Sequence, residues 1–337
     1  MIDLRSDTVT KPSQEMLGVM FKAKVGDDVY KEDPAVNELE EYAADLLGKE
    51  AALFVPSGVM GNQLCLNILT NPMDEVICEK DAHIFHYESG SPAALSGIQL
   101  CPVEGKNGVL NAEQIEPLIR PTSAYYMPYS KVIEVENTHN RAGGTITPIE
   151  NIIAIRELAK KYNLLCHLDG ARLWNACVAA DKAPKEYTQY FDTVSCCLSK
   201  GLGAPIGTVI AGPKELIDKA FRVRKAWGGG MRQVGIIAAA GLYALKNNID
   251  RLAEDHEKAK TLAKFLDESD SFDINMDTVQ TNILIFRPVK KSVDEILKTA
   301  QEKGLLLSVG GVGTLRAVTH MDVSFNDIEQ AIQILKN

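Results

Sequence analysis

The pattern that most limits this chain is a repeated exchange of short apolar runs with amphipathic helical stretches. Runs at 75–78, 98–102, 131–135, 164–168, 193–198 and 208–211 read as strands, with helices such as 148–162 and 213–225 between them. Strands that are apolar almost throughout, separated by helices, imply an α/β fold: a mostly parallel central sheet covered by helices on both faces. Asp33-Pro34 marks a helix start, with Leu39, Tyr42, Ala43, Leu46 and Leu47 on one face and Gly48 as the stop. Beyond residue 246 the pattern changes. A charged helix over 250–266 precedes a strand at 282–287, a helix at 292–302, strands near 305–309 and 314–318, and a last helix from about 326, opened by Ser324 and Asp327. The expected division is a large α/β domain, 1–246, and a smaller α+β domain, 247–337.

Composition narrows the function. A net charge of −9 without a basic cluster argues against nucleic acid and anionic membrane as partners. No signal-peptide pattern and no membrane-length apolar stretch is present. The seven cysteines, odd in number and set in apolar runs, read as reduced thiols of a cytoplasmic protein. Without CxxC or HExxH, no metal is expected.

Lys200 stands out chemically. It closes the apolar run 191–198 and precedes Gly201-Leu202-Gly203. An amine that loses its hydration there loses charge more readily and becomes a nucleophile able to form a Schiff base with pyridoxal phosphate. The alternative is a lysine that reaches out to water. Ser57-Gly58-Val59, between a strand and an apolar helix, reads either as a phosphate-binding turn or as a plain N-cap. It has neither a Walker lysine nor a dinucleotide glycine fingerprint, which disfavours ATP and NAD. Asp169 sits at a strand's carboxyl end, where it can hold a protonated pyridine nitrogen. Arg172 either meets the cofactor or a substrate carboxylate, or pairs with Asp169. His83 offers a ring for stacking or proton transfer, with Glu88 able to orient a neighbour; His86 reads as structural. Arg232, after three glycines, and Arg316, within an apolar strand, each bind an anion or a structural carboxylate.

Taken in order, Leu4-Arg5-Ser6-Asp7-Thr8-Val9-Thr10, Val25-Gly26-Asp27-Asp28-Val29-Tyr30, Glu136-Asn137-Thr138-His139-Asn140, His167 to Arg172, Leu198-Ser199-Lys200-Gly201 and Gly228 to Gln233 resemble the low-specificity L-threonine aldolases. These are fold type I, aspartate-aminotransferase-like enzymes dependent on pyridoxal 5′-phosphate. The resemblance implies retro-aldol cleavage of threonine or allo-threonine to glycine and acetaldehyde. It puts the Schiff base on Lys200 beside Ser199, the pyridine-nitrogen partner on Asp169 and the stacking imidazole on His83. Ser57, Gly58 and the backbone of Val59 fall in the phosphate cup, with Val59 replacing a threonine of many relatives. Arg172 and Arg316 take the substrate carboxylate, with Ser6 close by. Lys225 and Arg232 are basic positions near the phosphate, shared between subunits, and Tyr30 reaches across an interface. Tyr126 replaces a histidine near the substrate hydroxyl. A homotetramer with shared active sites is implied. The base for the β-hydroxyl is expected to be His83. Competing expectations are β-elimination, racemisation or transamination on the same scaffold, and a binding protein without catalysis.

Overall fold

In the computed structural model, which describes residues 1–336, the chain builds two main sheets, each with its own apolar core. The strands are β1 (Ile2–Asp3), β2 (Ala51–Val55), β3 (Asp74–Glu79), β4 (Gln99–Val103), β5 (Tyr129–Glu136), β6 (Leu165–Asp169), β7 (Thr193–Cys197) and β8 (Thr208–Gly212). After them come β9 (Phe272–Ile274), β10 (Ile283–Pro288), β11 (Leu305–Leu306), β12 (Ser308–Gly311) and β13 (Thr314–Val318). The large sheet has the order β2-β8-β7-β6-β5-β3-β4. From β7 to β4 every pairing is parallel. Only β8 runs against its neighbours. Residues 198–207 are all that separate it from β7, too short a link for a helical crossover, so the chain turns straight back. Gly207, at φ +115°, makes that turn where a side chain would strike the Phe54 ring.

Alternate strand residues enter opposite layers. Phe54, Ile77, Cys166, Leu168, Val194 and Cys196 join the core under the helices Pro34–Leu47, Ile149–Tyr162, Leu173–Ala180 and Gly235–Asn247. Leu53, Val55, Val76, Cys78, Val132 and Ile210 meet the helices Gly58–Leu69 and Lys214–Ala226. Burial of both faces is why the strands read as unbroken apolar runs. Asp33 caps its helix as expected, accepting from Ala35 and Val36 N–H at 3.1 and 3.2 Å, a contact worth about 1 kcal/mol.

The second sheet is antiparallel, β12-β13-β10-β9. It packs with the helices Leu252–Asp267, Val293–Glu302 and Phe325–Lys336. Ser324 and Asp327 exchange hydrogen bonds at the start of the last. β1 pairs in parallel with β11, so Ile2 and Leu4 belong to this second core. All seven cysteines are free and buried. Among the described residues, no helix is long and apolar enough to cross a membrane.

Candidate active site

The sheet face under the helix Gly58–Leu69 turns polar at the carboxyl ends of its central strands. Glu134 and Glu136 of β5 lie beside His167 and Asp169 of β6, which lie beside Thr193 and Ser195 of β7, all buried. Asp169 accepts from Ala171 N–H at 3.0 Å and from Asn62 Nδ2 at 2.7 Å. The same Asn62 nitrogen donates to Glu88 Oε1 at 2.8 Å, and Gln63 Nε2 donates to Glu88 Oε2 at 2.5 Å. His83 turns Nδ1 to Glu88 Oε1 at 2.9 Å, and its backbone N–H donates to Glu136 at 2.8 Å. Polar atoms of His83, Glu88 and Asp169 lie within 4.8 Å of one another.

Burial sets the charges on this face. It pushes His167 down to about 4, so that ring is neutral near pH 7. It also drives Glu134 well above the carboxylate range, with Asp169 and Glu136 adding to the effect, and neither Glu134 oxygen has a hydrogen-bond partner. Burial alone would lower His83. The bond to Glu88 and the fields of Asp169, Glu88 and Glu136 outweigh it, and the imidazole is more basic than usual.

Lys200 follows β7 by three residues and is half-buried, less enclosed than its apolar run suggests. Among the described residues its Nζ makes no hydrogen bond or ion pair. Its carbonyl accepts from Thr10 Oγ1 at 2.8 Å, tying the turn that also holds Ser199 to the N-terminal segment. Ser57 is the N-cap that the sequence allowed. It caps the helix Gly58–Leu69 by accepting from Met60 N–H at 3.2 Å, which leaves its own O–H to donate. The N–H groups of Gly58 and Val59 lie in the first turn, where a helix supplies no acceptor. A Cβ on Gly58 would stand 2.9 Å from Cys197 Sγ, so glycine lets the helix start press against β7. A hydroxyl, two first-turn N–H donors and an unpaired amine in the turn after β7, whose neighbour β6 ends at the buried Asp169, suit a phosphorylated pyridine. Gly229 packs on Met60, which brings Lys225 and Arg232 to this side of the molecule. Lys225 is exposed; Arg232 pairs with Asp27 at 2.8 Å and precedes the next helix, Gly235–Asn247, instead of opening it.

Arg172 does not pair with Asp169. Its Nε and Nη2 each donate to Asp7 at 2.7 Å, and Asn282 Nδ2 adds a third bond to that carboxylate at 3.2 Å. Burial opposes the charge on Asp7, but Arg172 overcomes it and holds the carboxyl well below its usual range. Arg172 keeps Nη1, 3.5 Å from Asn140 Oδ1. Arg316 donates to the same oxygen at 2.8 Å and to the Arg5 carbonyl at 3.0 Å, next to Ser6. Burial and the charge of Arg172 lower Arg316 to about 10, so it remains a cation near pH 7. Two arginines thus converge on Asn140, itself held by Glu136 at 2.8 Å.

Asp7, Asn62, Gln63, Glu136 and Asn140 were not singled out from the sequence as site residues. Glu136 alone carried a strand signal, because polar residues at every second position of β5, β6 and β7 interrupt one face of otherwise apolar strands; Asp7, Asn62, Gln63 and Asn140 lie outside those strands. Tyr30 is 71% exposed and Tyr126 75% exposed. Tyr126 precedes the amino end of β5, whereas the cleft lies at its carboxyl end, so Tyr126 and this cleft occupy opposite edges of the sheet within one chain.

Fold and site together define a protein of the α/β class with a polar cleft at the carboxyl edge of a mostly parallel sheet, where a buried aspartate ends one strand and an unpaired lysine follows the next. The family described as Beta-eliminating lyase matches residues 3–288, and the chain belongs to it. It is 42% identical over 325 residues to the low specificity L-threonine aldolase of Escherichia coli, covering 96% of this chain and 95% of that one. It is 41% identical over 255 residues to the alanine racemase TOXG of Cochliobolus carbonum, covering 75% of this chain and 64% of that one. The structure of Leishmania major threonine aldolase superposes with a TM-score of 0.86, covering 100% of this chain and 99% of that one at 18% identity, which establishes the shared fold.

Proposed function

We propose that this lyase binds pyridoxal 5′-phosphate and cleaves L-threonine and L-allo-threonine to glycine and acetaldehyde. The observation that carries the reading is the unpaired Lys200 amine in the turn that follows β7, with the buried Asp169 closing the neighbouring strand β6. The identity to the Escherichia coli aldolase supports the substrate. When bound, the cofactor supplies a sink for the electrons released as the Cα–Cβ bond breaks.

The protein's part is anchoring, orientation and proton transfer. Lys200 is the covalent anchor. Asp169 holds the pyridine nitrogen in its protonated form. Ser57 and the N–H groups of Gly58 and Val59 receive the phosphate, with Lys225 and Arg232 as basic neighbours. Arg316, with Nη1 of Arg172 and nearby Ser6, binds the substrate carboxylate and fixes which bond stands perpendicular to the ring. With Nδ1 committed to Glu88, His83 offers Nε2 to the β-hydroxyl proton. Tyr30 and Tyr126 belong to this reading as groups supplied across subunit contacts of a homotetramer.

Lys200→Ala should abolish both the near-visible absorbance of bound cofactor and aldehyde release from L-threonine. A variant that keeps both refutes the assignment. Racemisation is the second reading, favoured by the likeness to TOXG. Aldehyde formation from threonine, against a change in amino-acid chirality without aldehyde, separates the two.

A further inference from the structure

The polar network between the stacking imidazole and the pyridine-side carboxylate is ordered by its carboxylates, which can only accept. His167, kept neutral by burial, stands 2.9 Å from Thr193 Oγ1 through Nδ1 and 3.3 Å from Asn62 Oδ1 through Nε2. Nδ1 also lies 3.2 Å from the Thr193 carbonyl; it is the acceptors Asp169 and Glu88 that set the Asn62 amide with its nitrogen toward them and its oxygen toward His167 Nε2. The two hydrogens on Nδ2 then go to Asp169 and Glu88. Gln63 fills the other oxygen of Glu88. The remaining donor is His83 Nδ1–H. Glu88, with its side chain fully buried, therefore receives three N–H donors and has no freedom to turn.

We propose that Glu88 is the positioning residue of this cleft: it fixes the tautomer and tilt of His83, and through the shared Asn62 amide it makes the setting of His83 depend on Asp169. Glu88 touches neither cofactor nor substrate in this arrangement. It acts through the two groups that do, selecting the His83 tautomer whose Nε2 is free. The groups that face His83 are Glu88, Asp169, Glu136 and the Tyr87 ring, whose centroid lies 5.6 Å away and whose hydroxyl accepts from Arg141. Of these, Glu88 alone bonds the imidazole.

The inference rests on the proposed reading only for its effect on turnover. The test is nitrogen NMR of histidine-labelled full-length protein, as purified and after cofactor removal, with His83 assigned by its loss in His83→Asn. Wild type should show a proton held on Nδ1. Glu88→Gln, which keeps the volume but places an amide against these donors, should lose that signal and titrate at lower pH. Its kcat should fall about tenfold or more with little change in KM. Asn62→Ser leaves the His83–Glu88 bond but cuts the link to Asp169; it should shift the His83 titration and weaken cofactor binding. Wild-type tautomer and titration in Glu88→Gln would overturn the proposal. If that variant fails to fold, a wild-type His83 titration together with wild-type cofactor affinity in Asn62→Ser overturns it instead. Should the protein fail to cleave threonine while these ring signals behave as expected, the reaction reading falls and the positioning role stands.

Discussion

Asp7→Asn tests the clasp between the N-terminal segment and the rest of the molecule. Asp7 is fully buried, and the Arg172 side chain is 5% exposed. The substitution leaves one oxygen for the guanidinium and turns an amide N–H toward the other donor. Removing one partner of such a pair strands a buried charge, at a cost of about 3–5 kcal/mol. At about 2–4 °C per kcal/mol, the thermal midpoint should fall by roughly 10 °C. The pH dependence follows from the depressed carboxyl. The folded form holds Asp7 ionised more strongly than the unfolded chain, whose ordinary value is 3.8. The stabilisation is therefore complete above that value and lost as pH falls through the folded one. Wild type and variant should differ by a constant amount from pH 8 to 5, then converge by up to about 1.4 kcal/mol per pH unit in acid. Denaturant melts across that range measure both. A difference below about 1 kcal/mol at pH 7, or one unchanged at pH 3, would refute the reasoning.

Other outcomes follow from single contacts. Glu40 accepts from Phe54 N–H at 2.8 Å and is pushed up to about 7 by burial. Its folded form binds the proton more tightly than the unfolded chain, so its contribution weakens as pH rises from about 4.5 to about 7. Glu40→Gln should raise the melting temperature at pH 8, by up to about 3 kcal/mol of stability, and leave pH 5 unchanged; equal melts at pH 8 would sink this. Gly207→Ala combines an unfavourable φ of +115° with contact against Phe54, and should cost about 2 kcal/mol or more in urea unfolding. Arg316→Leu should raise KM for threonine far more than it lowers cofactor affinity, measured by steady-state kinetics and cofactor titration. Since His83 is more basic than a free imidazole, the limb over which kcat climbs with pH should lie above the ordinary imidazole range, and His83→Asn should flatten that limb.

The strands and most helices were legible because burial on both faces leaves an apolar signature, and because Asp33-Pro34, Ser324 and Gly48 are local stop and start signals. The reversal of β8 was not drawn from the sequence, although the link after β7, too short for a helical crossover, carried that signal. Lys200, Asp169 and His83 were visible as reactive types at strand or helix ends. The partner of Arg172 was not: a nearby Asp169 was the obvious choice in sequence, and only folding brings Asp7 and Asn282 to the guanidinium. Asn140 escaped notice for a similar reason, because its importance lies in two arginines contributed from distant segments. Tyr126 illustrates the limit of position in sequence, which carries no record of which edge of the sheet a residue occupies.

The pairing of β1 with β11 has a consequence for how the chain is made. Residues 2–3 leave the ribosome long before their strand partner, residues 305–306. The large sheet, whose contacts are complete much earlier, can form while the leading segment still hangs loose. Closing so long a loop is slow. Until it closes, Arg172 has no Asp7 and the Lys200 turn no Thr10. Catalytic competence should therefore arrive abruptly, only once residues 305–306 have emerged, and lag behind the folding of the sheet that carries most of the site.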